Sequence, residues 1–186
     1  MFAVVLGFLA NEWRADVQAD GNAREALLRI EQEIEDNIAT LETVLPYHES
    51  VLGRISDALV QIDAGESPDR GVFLDVIPEL LPRGMQEPGL SRIAWDYAEQ
   101  RGQMDPLAYV LVSEIANVYS TQESGVESTW RVIVERFVGQ IESVSEGDLL
   151  PRLILMQYAF QELVAQERFL LELQQNVLSD VRRATD

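Results

Sequence analysis

Between Leu27 and Ile62 apolar residues return every three or four positions, at Leu27, Ile30, Ile34, Ile38, Leu41 and Leu45, then at Leu52, Ile55, Leu59 and Ile62. With 3.6 residues per turn, that rhythm lays one apolar stripe along a single helical face. The stripe keeps its phase across Pro46, because Leu45 and Leu52 are seven positions apart. The spacing therefore predicts that Pro46 kinks a continuing helix, or starts a new one on the same axis. Gly21-Asn22 is a candidate joint nearer the N-terminus. Ala64-Gly65, followed by Glu66-Ser67-Pro68-Asp69, predicts a stop and a turn.

Residues 66–90 carry Pro68, Pro78, Pro82 and Pro88 together with Gly71, Gly84 and Gly89. This predicts an irregular connector with one short helical turn near Phe73–Leu81. Its apolar residues, among them Val72, Phe73, Ile77 and Leu81, make it a packed cap and not a free linker. A short helix should follow, with Ser91 as N-cap and Gly102 just past its end. Asp105-Pro106 pairs a capping carboxylate with proline at the first helical position and predicts the start of a second long helix. That helix reads through Leu111, Ile115, Val118, Val126, Ile133, Phe137 and Ile141 to about Val144, with Gly125 as a weak point. Ser145-Glu146-Gly147-Asp148 is a tight turn. The last helix runs from about Leu149 to Arg183 through Leu153, Met156, Phe160, Leu163, Leu170, Val177 and Val181. Two long helices joined by so short a turn must lie antiparallel. The expected fold is all-α: an antiparallel bundle of three long helices plus one short helix, the first kinked near Pro46.

The first ten residues, MFAVVLGFLA, carry no charged side chain. Phe2 to Ala10 would span roughly 13–15 Å as helix, about half a hydrocarbon core, and lack the basic leader of a signal peptide. Residues 1–10 read either as the end of a transmembrane helix or as the first turns of a core helix. Trp13, in Asn11-Glu12-Trp13-Arg14, stands where an interfacial aromatic would sit and favours the membrane. Residues 11–186 then form a single helical-bundle domain.

Charge narrows the partners. The 186 residues hold 32 acidic and 14 basic side chains, a formal net charge of −18. A phosphate backbone would repel such a chain, so nucleic acid is not an expected partner. All 14 basic residues are Arg, which excludes a Schiff-base lysine and a phosphate-loop lysine. The absence of Cys excludes disulfides, thiolate nucleophiles and Cys-ligated zinc.

Candidate chemistry is sparse. Di-metal bundles need Glu-x-x-His pairs on two helices, and the sole histidine, His48, has no Glu three residues before it. Glu31 and Glu35 could share a cation, but their acidic neighbourhood reads as a solvated face. No metal, cofactor or catalytic residue is expected. His48 falls on the apolar stripe between Leu45 and Leu52 and reads as a core or seam histidine with one hydrogen bond; the alternative is a pH-sensing role. Glu33 and Asn37, four apart beside the stripe, could fix the register between helices or contact a ligand. Trp95, Tyr97, Tyr109, Tyr119 and Trp130 are core aromatics or the lining of a pocket. The candidate partner or ligand contacts are thus Glu33, Asn37, His48, Trp95 and Tyr119.

The order Val4-Val5-Leu6-Gly7, Glu12-Trp13-Arg14 and Glu33-Ile34-Glu35-Asp36-Asn37, followed by Ala94-Trp95-Asp96-Tyr97-Ala98, Met104-Asp105 and Tyr119-Ser120-Thr121-Gln122, resembles a group of uncharacterised bacterial single-pass inner-membrane proteins. The likeness runs from Phe2 to about Gln122. It departs where the group has a basic leader and a full membrane helix. It implies N-in topology with the helical domain outside the cytoplasm, and it carries no functional residues. The expected role is a membrane-tethered domain that binds a protein partner or itself. The alternatives are a sensor-like ligand-binding bundle and, behind it, a carboxylate- or metal-dependent enzyme.

Overall fold

The computed structural model describes residues 2–65, 73–137 and 149–185, with side chains from residue 11 onward. Every regular element among them is a helix: α1 (Phe2–Asp63), α2 (Phe73–Leu80), α3 (Ile93–Gln100), α4 (Tyr109–Thr121), a π-helical turn (Gln122–Glu127), α5 (Ser128–Phe137) and α6 (Leu149–Thr185). The all-α expectation holds. The turns expected at Glu66–Asp69 and Ser145–Asp148, and the helical stretch expected from 138 to 144, lie outside the described residues.

The frame is α1 against α6. Arg182 bonds Glu31 at 3.2 Å and also Glu35, Arg168 bonds Glu49 at 2.6 and 3.0 Å, and Gln157 bonds Ser56 at 3.1 Å. Partner numbers fall along α6 as they rise along α1. Between these rows lies the predicted stripe: Leu27, Ile30, Ile34, Leu41 and Ile55 are buried against Leu153, Met156, Phe160, Leu163, Leu170 and Val181. Each such side chain removed from water contributes about 1.5–3 kcal/mol, whereas an exposed ion pair of the flanking rows contributes about 0–1 kcal/mol. Packing therefore holds the two helices, and the charge rows set their register. α6 also packs on α4, the π-helical turn and α5, while α3 packs on α1. Phe73 of α2 closes one end, its ring centroid 6.1 Å from that of Phe137.

Several local expectations can be compared with the structure. Helix α1 continues through Pro46, in keeping with the unbroken phase of its stripe, and it is also unbroken at Gly21-Asn22, where a joint was expected. The short helical turn expected near Phe73–Leu81 is present as the eight-residue helix α2, ahead of the connector's irregular part, so the described residues hold two short helices, α2 and α3, where one short helix was expected. Gly102, at φ +63°, does end α3: Gln103 N–H donates to Ala98 O and Gly102 N–H to Glu99 O, the paired bonds of a Schellman motif. Beyond it, however, the chain turns again through Asp105→Gly102 and Leu107→Met104 bonds, drawing Met104 into the core. Pro106 is spent in that turn, and α4 begins at Tyr109.

The N-terminal end of α1 leaves the body. Residues 11–22 are exposed apart from a half-buried Ala19, and among the residues with described side chains burial begins at Ala23. At 1.5 Å per residue, residues 11–22 make an arm about 18 Å long. Among the described residues no helix is long and apolar enough to cross a membrane.

Candidate functional site

After α2 the chain runs from Gly84 to Arg92 without regular structure, as a strap laid along α1. A strap has no ladder of its own, so its backbone groups must find other partners. Helix α1 supplies them from Glu33, Asn37, Tyr47 and His48.

At one end, Glu33 takes four donors. Its Oε2 accepts from the Ser91 hydroxyl at 2.7 Å and from Ala94 N–H at 2.9 Å. Its Oε1 accepts from the Tyr119 hydroxyl at 2.8 Å and from Trp95 N–H at 3.3 Å. Ala94 and Trp95 lie in the first turn of α3, whose N–H groups have no partner within the helix. A carboxylate from another helix thus caps α3 and meets the positive end of its dipole. Arg92 stands at the N-cap position without a side-chain cap, and Ser91 bonds Ile93 N–H only at 3.4 Å. Ser91 is therefore mainly a link between Glu33 and the strap. Asn37 grips the same residue by its backbone: its amide donates to Ser91 O at 2.7 Å and its Oδ1 accepts from Ser91 N–H at 2.7 Å.

Trp95 and Tyr119 complete the cluster, stacked with centroids 5.6 Å apart and an interplanar angle of 13°. Burial pushes the Tyr119 phenol far above its ordinary value, and the Glu33 carboxylate beside it adds to the shift by its charge and its hydrogen bond. Gln122 arrives from the π-helical turn, donating to Ser91 O at 3.3 Å and to Glu127 Oε1 at 3.0 Å. That last bond spans five residues, the repeat of a π-helix. Beside the cluster a groove of about 410 Å³ opens between α1 and α3, lined by Arg29, Gln32, Asp36, Ile93 and Tyr97.

His48 lies eleven residues further along α1, about 16 Å away at the helical rise, in a separate cluster. Its Nδ1 faces both carboxylate oxygens of Glu167 on α6, at 2.8 and 3.0 Å, and its Nε2 lies 2.8 Å from Gln86 O in the strap. His48 and Glu167 are both buried, with side-chain exposures of 1% and 0%. Trp130 stacks on the imidazole and Phe160 meets it edge-on. The neighbouring Tyr47 hydroxyl donates to Gly84 O at 2.6 Å, and the Arg83 guanidinium lies 4.1 Å over the Tyr47 ring.

Of the five candidate residues, the structure thus brings Glu33, Asn37, Trp95 and Tyr119 together and sets His48 apart. The histidine has two partners where one was expected, the buried Glu167 and the partly buried Gln86 O. The sequence marks Ser91 only as a cap and does not single out Glu167, Gln122 or Tyr47. Glu167 and Gln122 had a signal, since each is a polar residue at a position where its helix's apolar stripe needs a buried side chain. Chemically the first cluster is closed: a carboxylate accepting four bonds has no lone pair left for a cation. Among the described residues no group of three or more His, Asp or Glu side chains could hold a metal ion. Comparison with protein-family models, curated proteins and solved structures finds no match.

Proposed function

We propose that this chain is a helical interaction domain without chemistry of its own, held at a bacterial inner membrane with the domain on the periplasmic side, and acting by binding a protein partner or a second copy of itself. One observation carries the reading. The apolar run Phe2–Ala10 lies at the far end of an arm continuous with the core helix and set off from the body by exposed residues 11–22. An uncharged apolar run at the end of a helix whose next twelve residues are almost all exposed is suited to an apolar phase, and Trp13, 67% exposed, sits at the step to charged sequence. The resemblance to single-pass inner-membrane proteins supports the same placement. In this reading α1, the α4–α5 unit and α6 lie antiparallel as three long rods, with α1 bent near Pro46. The polar clusters fix their register and the strap.

Flotation with lipid vesicles tests the tether. The full chain should rise with the vesicles, while a Val5→Asp, Phe8→Asp double variant should stay behind with an unchanged melting curve. A wild-type chain that stays behind, or a variant that floats as well, overturns the membrane placement.

The groove beside Glu33 favours a second reading, a sensor-like bundle that binds a small ligand between α1 and α3. A thermal-shift screen would support it by yielding a stabiliser whose effect is lost in Tyr97→Ala, and would remove it by yielding none.

A further inference from the structure

The partners of His48 restrict where its protons can lie. Gln86 O is a carbonyl and can only accept, so His48 Nε2 must carry a hydrogen. That leaves Nδ1 facing two carboxylate oxygens at 2.8 and 3.0 Å. One more proton must lie between them, either on Nδ1 or on Glu167. With it the pair is neutral overall and every buried polar atom of the pair is bonded. Without it a nitrogen lone pair and a full negative charge face each other inside the core, where neither has water to turn to.

We propose that His48 and Glu167 form a proton-dependent latch on the strap, holding Gly84 to Arg92 against α1 while the shared proton is present and releasing it when the proton is lost at rising pH. The geometry makes release local. His48 holds the strap through a single bond to Gln86 O, so a histidine that turns away from Glu167 lets go of the middle of the strap. Its ends stay tied at Ser91 through Asn37 and at Gly84 through Tyr47. The strap also forms one wall of a groove of about 480 Å³, through Glu87, Pro88 and Leu90, against Trp130 and Val134 of α5. The latch therefore sets the shape of that groove.

The imidazole is faced by α6, α5, the strap and its own helix. From α6 the facing charge is Glu167. From α5 it meets the uncharged indole of Trp130, with Glu127 and Arg131 of that region lying on the groove. From the strap it meets Gln86 O, with Glu87 next in sequence and Arg83 turned onto Tyr47. Glu49, the next residue of α1, is engaged by Arg168. None of these contacts supplies a second proton to the pair.

Hydrogen exchange on the full chain tests the latch. Amide protection of Gly89 and Leu90, in the middle of the strap, corrected for intrinsic exchange, should fall as pH rises. The slope should not exceed tenfold per pH unit, the limit for release of one proton. In Glu167→Gln the side-chain amide can donate to Nδ1 while Nε2–H still donates to Gln86 O. The strap should then stay protected with no pH dependence. Because His48 is the sole histidine, its ring nitrogen resonances in the wild-type chain report the same event without assignment, and their midpoint should match that of strap exchange. Protection that is flat in the wild type, or that falls equally in Glu167→Gln, overturns the latch. If the variant does not fold, ring resonances that titrate apart from the strap overturn it.

Discussion

Tyr119 donates its hydroxyl to Glu33 Oε1 across 2.8 Å while its ring lies flat against Trp95. The phenol is 1% exposed, so it can ionise only by placing a second negative charge beside the first. Its proton is held in the folded chain through a range where the unfolded chain releases it at the ordinary value of 10.0. By linkage, stability is full below about pH 10 and falls as pH rises beyond it, since the folded state then binds more protons than the unfolded one. Alkaline unfolding and the appearance of the Tyr119 phenolate signal should coincide. Tyr119→Phe should lose about 1 kcal/mol at neutral pH and fall less steeply in alkali. Equal alkaline slopes in denaturant titrations would contradict this account.

Glu33 joins three separate segments through one carboxylate. Glu33→Ala would orphan the Ser91 and Tyr119 hydroxyls and two N–H groups of α3. A loss of about 3–5 kcal/mol is expected in chemical denaturation. Glu33→Gln keeps the shape but turns an NH₂ toward one hydroxyl, which can accept, and one N–H, which cannot, so it should recover only part of that loss. Full recovery would show that a neutral acceptor suffices.

Two glycines should respond with opposite signs. Gly53 lies in α1 with open space around an added Cβ, so Gly53→Ala should stabilise by about 0.5–1 kcal/mol. At Gly102 the backbone is left-handed and an added Cβ would lie 3.1 Å from Asp105 Oδ2. Gly102→Ala should destabilise by about 1 kcal/mol or more. Paired thermal melts compare the two directly.

Gln174 is fully buried on α6, and neither atom of its amide has a hydrogen-bond partner among the described residues. An apolar side chain of similar length avoids that desolvation. Gln174→Met should raise stability by about 1–2 kcal/mol. A loss of similar size would mean that the amide is bonded in the native state.

Much of this was legible in the chain. The stripe from Leu27 to Ile62 is buried much as its rhythm required, and His48 on that stripe is inside. Glu33 and Asn37 were legible as a polar pair beside it. Their target was not, because Ser91, Ala94 and Trp95 offer backbone groups, which every residue carries. On α6 the apolar series steps by seven from Leu163 to Leu170 and from Leu170 to Val177. The residues that complete it, Glu167 and Gln174, are polar, and both are buried. A gap in a stripe was the readable sign of a buried polar site. The start of α4 was misplaced because Asp105-Pro106 is good local cap chemistry, overridden by the burial of Met104.

The five-residue repeat from Gln122 to Glu127 stores one extra residue in a single turn of helix. Shortening that turn by one residue would swing everything beyond it by about 100°. Trp130 would leave the imidazole it covers, and Ile133 and Phe137 would rotate toward solvent. The angular alignment of the entire α5 segment thus depends on a count kept within six residues.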